Sequence, residues 1–311
     1  MTNNPPVPQI APEDRIRRSY LFVPGARPDR FAKALAAGAD AVIIDLEDAV
    51  PPAGKDAARA AVCAFLRDRT TTDPAAPDVF VRTNSLRSRT GLLDLLALTD
   101  LDAGQNVPSR APWAGLLLPK VDGAADVRLA AALLDERNLP GALGALIESA
   151  EGLENVMEIA ASSPRLSFLM FGGADLSAEL RVPLAWEPLL QARSRVVHAA
   201  ARHGLDALDM PWIALDDEDG HARELALSVL HGFTARAAIH PKQIAAIHAA
   251  FTPPPAAVAQ AERVLAAFEA AGGGVCTLDG KLVERPLVLG SRRVLALARR
   301  AGEAPAREIS A

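Results

Sequence analysis

Residues 144–180 read GALIESAEGLENVMEIAASSPRLSFLMFGGADLSAEL, and this stretch decides the predicted fold. It contains most of one apolar run, residues 142–147, and all of a second, residues 166–171. A segment with helical character, residues 153–161, separates the two runs. The pattern is typical of a strand, helix, strand unit with parallel strands.

An acidic residue follows each of these two predicted strands. Glu148 comes directly after the first, and Asp175 follows the Gly172-Gly173 pair after the second. In a parallel α/β sheet or barrel such strand ends are neighbours on the face that carries catalysis. Two carboxylates on one rim suit Mg²⁺, which takes one or two carboxylates and keeps sites for substrate and water. Alternatively, both acids are helix N-caps or solvated loop residues, but their pairing at two strand ends favours the metal.

The alternation of apolar runs and helical patterns extends along the rest of the chain. Six further strands are predicted at residues 19–23, 41–46, 79–81, 114–118, 205–210 and 235–239. Eight strand and helix pairs with short connections predict an α/β fold of the (β/α)8 or TIM-barrel type. An open doubly wound sheet is the alternative, and it is weakened because no glycine-rich dinucleotide turn follows the first strand.

Two segments lie outside the predicted barrel domain, which spans residues 15–251. Residues 1–14 are polar and rich in proline, and we predict a disordered tail. From Thr252 onward a proline-rich break, a helix, a hairpin around Asp279-Gly280 and a last helix are predicted. We expect residues 252–311 to form a lid over the site of the same or a neighbouring subunit.

Composition excludes several classes of protein. Hydrophobic residues make up 50% of the 311 residues and aromatic ones 4%, which suits helices packed on a parallel sheet. The formal net charge of −5, with both signs spread along the chain, gives no basic footprint for nucleic acid. No apolar run approaches the about 18 residues of a membrane span. The two cysteines, Cys63 and Cys276, lie far apart, so we predict a reducing, cytoplasmic setting.

Charged residues also follow other predicted strands. Arg82 carries a planar, permanently charged fork that suits a carboxylate or a developing enolate oxygen, and a plain surface ion pair is the less favoured alternative. Lys120 either binds substrate or serves a structural ion pair. Asp45, Glu47 and Asp48 would orient metal-bound waters or pair with the two basic residues.

Two further residues stand at predicted strand ends. Asp209 is assigned either a site role or a structural one, without preference. His240, before Pro241, is expected to cap the eighth strand. The other histidines lie on predicted helices or connections and are assigned no role.

Longer motifs resemble one known family. They are RRSYLFVPGARPDRFAKALAAGADAVIIDLEDAVPP (residues 17–52), VRTN (81–84), LLLPKV (116–121), LIESAEGLENVMEIAASSPRL (146–166), FGGADLSAEL (171–180), AAIHPKQI (237–244) and DGKLVERP (279–286). Together they resemble the citrate lyase beta-subunit-like family of the aldolase and citrate lyase superfamily. The resemblance implies cleavage or condensation of short 3-hydroxyacyl thioesters, such as malyl-, citramalyl- or citryl-CoA. It implies Mg²⁺, or Mn²⁺ in its place, and coenzyme A or an acyl-carrier protein as the thiol.

The same resemblance assigns roles to individual positions. It makes Arg82 the substrate-binding arginine, and Glu148 and Asp175 the metal ligands, with Glu148 also close to substrate. It places the coenzyme A nucleotide near the first strand end, where the candidate contacts are Phe22, Arg27 and Arg30. Homotrimers or hexamers are usual in the family, with the C-terminal lid over a neighbour's site.

One position departs from the family pattern. Where malyl-CoA and citramalyl-CoA lyases usually carry a lid aspartate that acts as acid or base in trans, this chain has Glu284. Glutamate keeps the carboxyl group but adds a methylene, and catalysis is sensitive to such displacements. Glu284 is therefore a candidate catalytic residue whose function is open.

The hypothesis is a carbon–carbon lyase with an enolate stabilised by Arg82 and the metal. One alternative is a class II aldolase acting on free 2-keto acids, which the coenzyme-A-facing opening, the lid and the lack of a placeable histidine base disfavour. Another is a non-catalytic or partner-dependent subunit of an acyl-carrier citrate lyase complex.

Overall fold

Eight parallel strands form a closed barrel in chain order. The computed structural model describes residues 17–69, 76–101 and 113–303, so the predicted disordered tail, residues 1–14, lies outside the described residues. The strands are β1 Ser19–Pro24, β2 Ala41–Asp45, β3 Asp78–Arg82, β4 Gly115–Leu118, β5 Ala142–Ile147, β6 Leu166–Phe171, β7 Asp206–Asp209 and β8 Ala235–Ala238. This arrangement confirms the predicted (β/α)8 barrel.

Helices follow the strands and cover the outside of the barrel. They are α1 Phe31–Leu35, α2 Lys55–Asp68, α3 Arg89–Thr99, α4 Ala124–Glu136, α5 Ala150–Glu154, α6 Val156–Ala160, α7 Gly173–Leu180, α8 Trp186–His203, α9 Glu218–His231 and α10 Ile244–Phe251. Short 3₁₀ turns at Pro28–Arg30, Pro52–Gly54 and Pro241–Gln243 join some of them to the strands. In the described part of the chain, no helix combines the length and the apolar character that crossing a membrane requires.

Strand β2 shows why the strands are almost wholly apolar. Ala41 and Ile43 belong to the apolar layer inside the barrel, whereas Val42 and Ile44 pack in the layer between barrel and helices. Both faces are buried, so polar residues are confined to the strand ends. The interior layer also contains Tyr20, Phe80 and Phe168, whose ring centroids lie 5.3–5.8 Å apart.

Three helix boundaries differ from the prediction. The helix expected at residues 153–161 is two short helices, α5 and α6, because Ser149 caps α5 by accepting from the N–H of Gly152 at 3.0 Å and the chain breaks at Asn155. The polar, proline-containing stretch from Asp175 to Pro183 predicts a connection, but Gly173–Leu180 form helix α7. The pattern after β1 predicts one helix over residues 28–37, whereas the structure has a 3₁₀ turn at Pro28–Arg30 followed by α1 from Phe31.

The chain after the barrel forms a helix, a hairpin and a second helix. They are α11 Pro255–Ala270, β9 Cys276–Leu278, β10 Lys281–Val283 and α12 Arg285–Glu303. The hairpin turns at Asp279 and Gly280, which have φ angles of 51° and 73°, as a tight two-residue turn requires. Val264, Val283 and Val288 form a small core of their own. The predicted hairpin is confirmed, and the division at residue 252 and the lid role stay predictions.

Candidate active site

Three polar side chains continue the inward-facing series of their strands. Strands β2, β3 and β5 each place an apolar side chain inside the barrel and a polar one two residues later: Ile43 and Asp45, Phe80 and Arg82, Leu146 and Glu148. Because side chains alternate along a strand, these polar groups sit directly above the apolar interior at the carboxyl end of the barrel. The strand positions alone therefore bring Asp45, Arg82 and Glu148 together, whatever the conformation of the loops.

A cavity of about 430 Å³ opens at this end of the barrel. Its polar wall consists of Asp45, Asp48, Arg82, Glu148 and Asp175. Its apolar wall includes Phe22, Leu146, Met170, Met210, Pro211, Ile213 and Ile239. One wall thus suits charged oxygen atoms, and the other suits a hydrocarbon portion of a ligand.

Arg82 contacts three carboxylates in the polar part of the site. Its Nε and Nη2 donate to Oδ1 and Oδ2 of Asp45, each at 2.7 Å. Its Nη1 lies 2.8 Å from Oε2 of Glu47 and 3.7 Å from Oδ2 of Asp48. Phe22 lies against the guanidinium, 5.2 Å from ring centroid to Cζ. Burial alone would lower the pKa of Arg82, but the three carboxylates raise it above its ordinary value.

Glu148 is a buried carboxylate with one oxygen already engaged. Its Oε1 accepts from the backbone N–H of Lys120 at 2.8 Å. Burial, together with the nearby charge of Glu47, raises the pKa of Glu148 to about 8, against the lowering effect of Lys120. A Cβ at Gly172 would lie 2.3 Å from Cβ of Glu148 and 3.0 Å from its Oε2, so glycine leaves the space around the second oxygen open.

Asp175 and Lys120 complete the cluster on its outer side. Asp175 lies exposed in the first turn of α7, and the Nζ of Lys120 donates to its Oδ2 at 2.6 Å. The same Nζ is 3.4 Å from Oε1 of Glu47 and 3.9 Å from Oε1 of Glu148. Lys120, Glu148 and Asp175 also border a second, outer cleft of about 340 Å³.

The charge balance of the cluster fits a divalent cation. The carboxylates of Asp45, Glu47, Asp48, Glu148 and Asp175 face the cations of Arg82 and Lys120. Burial and neighbouring carboxylates raise the pKa of both Glu47 and Glu148, as expected where negative charge is under-compensated. Among residues 17–69, 76–101 and 113–303, no three metal-ligating side chains form a preassembled site. Two carboxylates with water and substrate oxygens would complete the shell of Mg²⁺.

Other predicted contact residues lie away from the cavity of their own chain. Arg27 and Arg30 are exposed around the 3₁₀ turn after β1, and Arg27 pairs with Asp29 at 2.7 Å. Glu284 is exposed, directly before α12, and does not line the cavity. Their predicted roles in coenzyme A binding and catalysis stay predictions.

Asp209 and His240, the two further candidates at strand ends, make structural contacts. Asp209 is fully buried outside the barrel interior, 3.4 Å from Nε of Arg193 and 3.2 Å from Nη1 of Arg236, and it does not line the cavity. His240 caps the following 3₁₀ turn, since its Nδ1 accepts from the backbone N–H of Lys242 at 3.1 Å. His240 is expected from the sequence to cap strand β8, and in the structure it caps the following 3₁₀ turn instead.

Apart from Phe22, the sequence prediction missed the apolar wall of the cavity. Met170 could have been found, because it stands two residues before Gly172 on a strand whose inward phase is set by Phe168. Ile213 and Ile239 follow the ends of β7 and β8, where strand periodicity no longer applies.

Comparison with known proteins assigns the chain to a family. The family described as HpcH/HpaI aldolase/citrate lyase matches residues 18–241. The chain belongs to this family. It is 35% identical over 298 residues to the citrate lyase subunit beta of Leuconostoc mesenteroides subsp. cremoris, covering 92% of this chain and 94% of that one. It is 34% identical over 304 residues to the L-malyl-CoA/beta-methylmalyl-CoA lyase of Cereibacter sphaeroides, covering 89% and 92%.

One solved structure resembles the chain over most of its length. The protein CitE from Mycobacterium tuberculosis, in complex with magnesium, acetoacetate and coenzyme A, superposes with a TM-score of 0.73. The two are 34% identical, and the match covers 93% of this chain and 99% of CitE. The family and the barrel expected from the sequence are thereby confirmed.

Proposed function

We propose that this protein is a Mg²⁺-dependent carbon–carbon lyase that cleaves or forms a short 3-hydroxyacyl-CoA thioester. The carrying observation is that Glu148, Asp175 and Arg82 line one cavity at the carboxyl end of the barrel. The relatives that are named as acting on citrate or on malyl-CoA support the class of substrate. The CitE complex with magnesium and coenzyme A supports the two cofactor assignments.

In this proposal Glu148 and Asp175 hold the metal. Oε1 of Glu148 is taken by the N–H of Lys120, so Oε2 is the oxygen free to bind it. When bound there, Mg²⁺ would polarise the substrate's oxygen atoms and lower the cost of negative charge on them. Mn²⁺ has similar ligand preferences and can replace it.

Arg82 binds the substrate and stabilises the enolate of the acetyl or propionyl thioester. Asp45 occupies two of its five N–H groups, which leaves others for Glu47 and a substrate oxygen. Because the Asp45 carboxylate fixes the guanidinium plane, the remaining N–H groups are aimed before substrate arrives. Phe22, which lies against the guanidinium of Arg82, belongs to the region expected to meet coenzyme A, with Arg27 and Arg30 nearer its nucleotide end.

The final proton transfer is assigned to Glu284 of a neighbouring subunit, or to water. Glu284 is exposed and lies between Leu282 and Leu287, which are 56% and 43% exposed. At the mouth of the cavity Ile213 and Ile239 are 58% and 41% exposed. These apolar groups suit a contact between the extension of one chain and the barrel of another in a homotrimer or hexamer.

The free thiols of Cys63 and Cys276 suit a cytoplasmic protein.

The deciding experiment offers malyl-, citramalyl- and citryl-CoA to the purified protein with Mg²⁺. Release of glyoxylate, pyruvate or oxaloacetate together with acetyl-CoA is expected, with loss of turnover in EDTA. Glu148→Ala should abolish metal-dependent turnover while leaving the circular dichroism spectrum unchanged. Release of free coenzyme A thiol without a keto acid would instead show thioester hydrolysis. Coenzyme A binding with no turnover until partner subunits are added would indicate a partner-dependent citrate lyase subunit.

A further inference from the structure

Lys120 has a backbone conformation that L-amino acids rarely adopt. Its φ is +50°, and contacts on both sides hold the turn. Its N–H donates to Glu148 at 2.8 Å, and its carbonyl accepts from Nη2 of Arg87 at 3.1 Å. Arg87 is itself anchored by Asp122 and by Oδ2 of Asp126, the latter at 3.0 Å. The Lys120 side chain borders the outer cleft and not the main cavity.

The ammonium group of Lys120 lies where several carboxylates converge. Its Nζ is 2.6 Å from Asp175, 3.4 Å from Glu47 and 3.9 Å from Glu148. An ammonium ion is a compact point charge without a fixed donor plane, so it can balance several carboxylates that do not share one geometry. Glu148 and Asp175, the pair assigned to the divalent cation, are thus already balanced by a cation of the chain itself.

The same side chain has room to leave this position. Its exposed fraction is 43%, and its stem is long and flexible. The outer cleft, which it already borders, also contains the carboxylates of Asp122 and Glu179. Movement within the cleft towards Asp122 and Glu179 would keep the ammonium group near negative charge and take it away from Glu148 and Asp175.

We propose that Lys120 is a built-in counter-cation of the metal site, which a divalent cation displaces into the outer cleft. This inference rests on the proposed function, because it takes Glu148 and Asp175 as the metal ligands. Without the ammonium group the carboxylates would repel one another, and an incoming cation would not have to displace a competitor. Lys120 therefore lowers the affinity for the divalent cation and stabilises the protein when no metal is bound.

The test is a Mn²⁺ titration of the full-length protein without substrate, with free Mn²⁺ measured by electron paramagnetic resonance. Lys120→Met, which keeps an apolar stem and removes the charge, should lower the Kd for Mn²⁺ at least fivefold. Lys120→Arg, which keeps the charge, should stay within about twofold of the wild type. Lys242→Met is the matched control, because it removes the same charge from the same end of the barrel, where Lys242 pairs with Asp216 at 3.3 Å. Its Kd should not change.

Thermal unfolding gives a second measurement. Without metal, Lys120→Met should unfold at a lower temperature than the wild type, and Mn²⁺ should raise its Tm by more than it raises that of the wild type. An unchanged or weaker Mn²⁺ affinity in Lys120→Met, in a wild type that binds Mn²⁺, would overturn this inference alone. Failure of both proteins to bind Mn²⁺ would overturn the metal-dependent function as well.

Discussion

Asp45 and Arg82 are register partners on adjacent parallel strands, and their side chains form a two-pronged ion pair with both N–O distances at 2.7 Å. The pairing joins the last residue of β2 to the last residue of β3. The exposed fractions of the two side chains are only 3% and 11%. The ion pair therefore links β2 to β3 and also holds the Arg82 guanidinium, the candidate substrate-binding group, in position.

Removing the Asp45 charge should destabilise the protein. Asp45→Asn leaves a buried guanidinium with a poorer partner, and breaking a buried ion pair typically costs about 3–5 kcal/mol. We expect the free energy of unfolding, measured by urea denaturation, to fall by an amount of that order. Asp175→Asn is the control, since Asp175 is exposed and its change should cost less than about 1 kcal/mol. Equal losses in the two variants would contradict the structural role of the pair.

The pKa of Glu148 predicts how stability changes with pH in the metal-free protein. Its folded-state pKa, about 8, lies above the ordinary value of 4.5, so the folded state holds a proton that the unfolded state releases. Its contribution to stability is complete below pH 4.5 and is lost as the pH rises towards 8, by on the order of 1 kcal/mol per pH unit. Glu148→Gln cannot ionise and should not show this loss.

The measurement is urea unfolding of wild type and Glu148→Gln in EDTA at pH 5.5 and pH 8. The difference between the two proteins should shift in favour of the glutamine variant at the higher pH. Comparing two proteins at each pH cancels the contribution of groups that titrate independently of Glu148. Parallel stability curves over this range would show that Glu148 is ionised throughout.

Gly172 should be required for metal binding because of the space it leaves. A Cβ there would lie 2.3 Å from Cβ of Glu148, so Gly172→Ala must displace the carboxylate. We expect Mn²⁺ affinity to fall about tenfold or more, as when groups that orient a metal ligand are changed. Gly123→Ala is the control: its φ is −160° and a Cβ would meet nothing within 4 Å. Similar affinities in both variants would argue against Glu148 as the metal ligand.

The main elements of the fold and the polar residues at the strand ends could be predicted from the sequence. Strand periodicity leads from Leu146 to Glu148 and from Phe80 to Arg82, because a buried strand must alternate between two faces. The positive φ of Lys120 was not accessible, since it is held by contacts with Arg87 and Glu148 from other parts of the chain. From the sequence, Asp45 could either orient metal-bound waters or pair with a basic residue. The register of β2 and β3, which makes Asp45 and Arg82 partners, identifies the ion pair.

Helix α7 shows a second limit. Two glycines before Asp175 indicated a turn, and no local pattern distinguishes a turn that ends a strand from one that also begins a helix. A Cβ at Gly173 would lie 2.5 Å from Sδ of Met210, so any larger residue in the first turn requires the Met210 side chain to shift. Contacts of this kind join segments far apart in the chain, so the local periodicity of the sequence does not predict them.

The last prediction concerns the origin of Glu284 in each site. If the extension of one subunit serves the barrel of the next, Glu148→Gln and Glu284→Gln chains should each be inactive alone but active in mixed oligomers. In a ring with random equal mixing, about one quarter of the sites would combine an intact barrel with an intact neighbouring extension. Co-expression of the two chains with different affinity tags, followed by purification on both, provides the mixed oligomer. Mixing Glu148→Gln with a chain that carries both substitutions is the control and should give no activity. If the first mixture is equally inactive while both variants bind coenzyme A, Glu284 does not act from a neighbouring subunit.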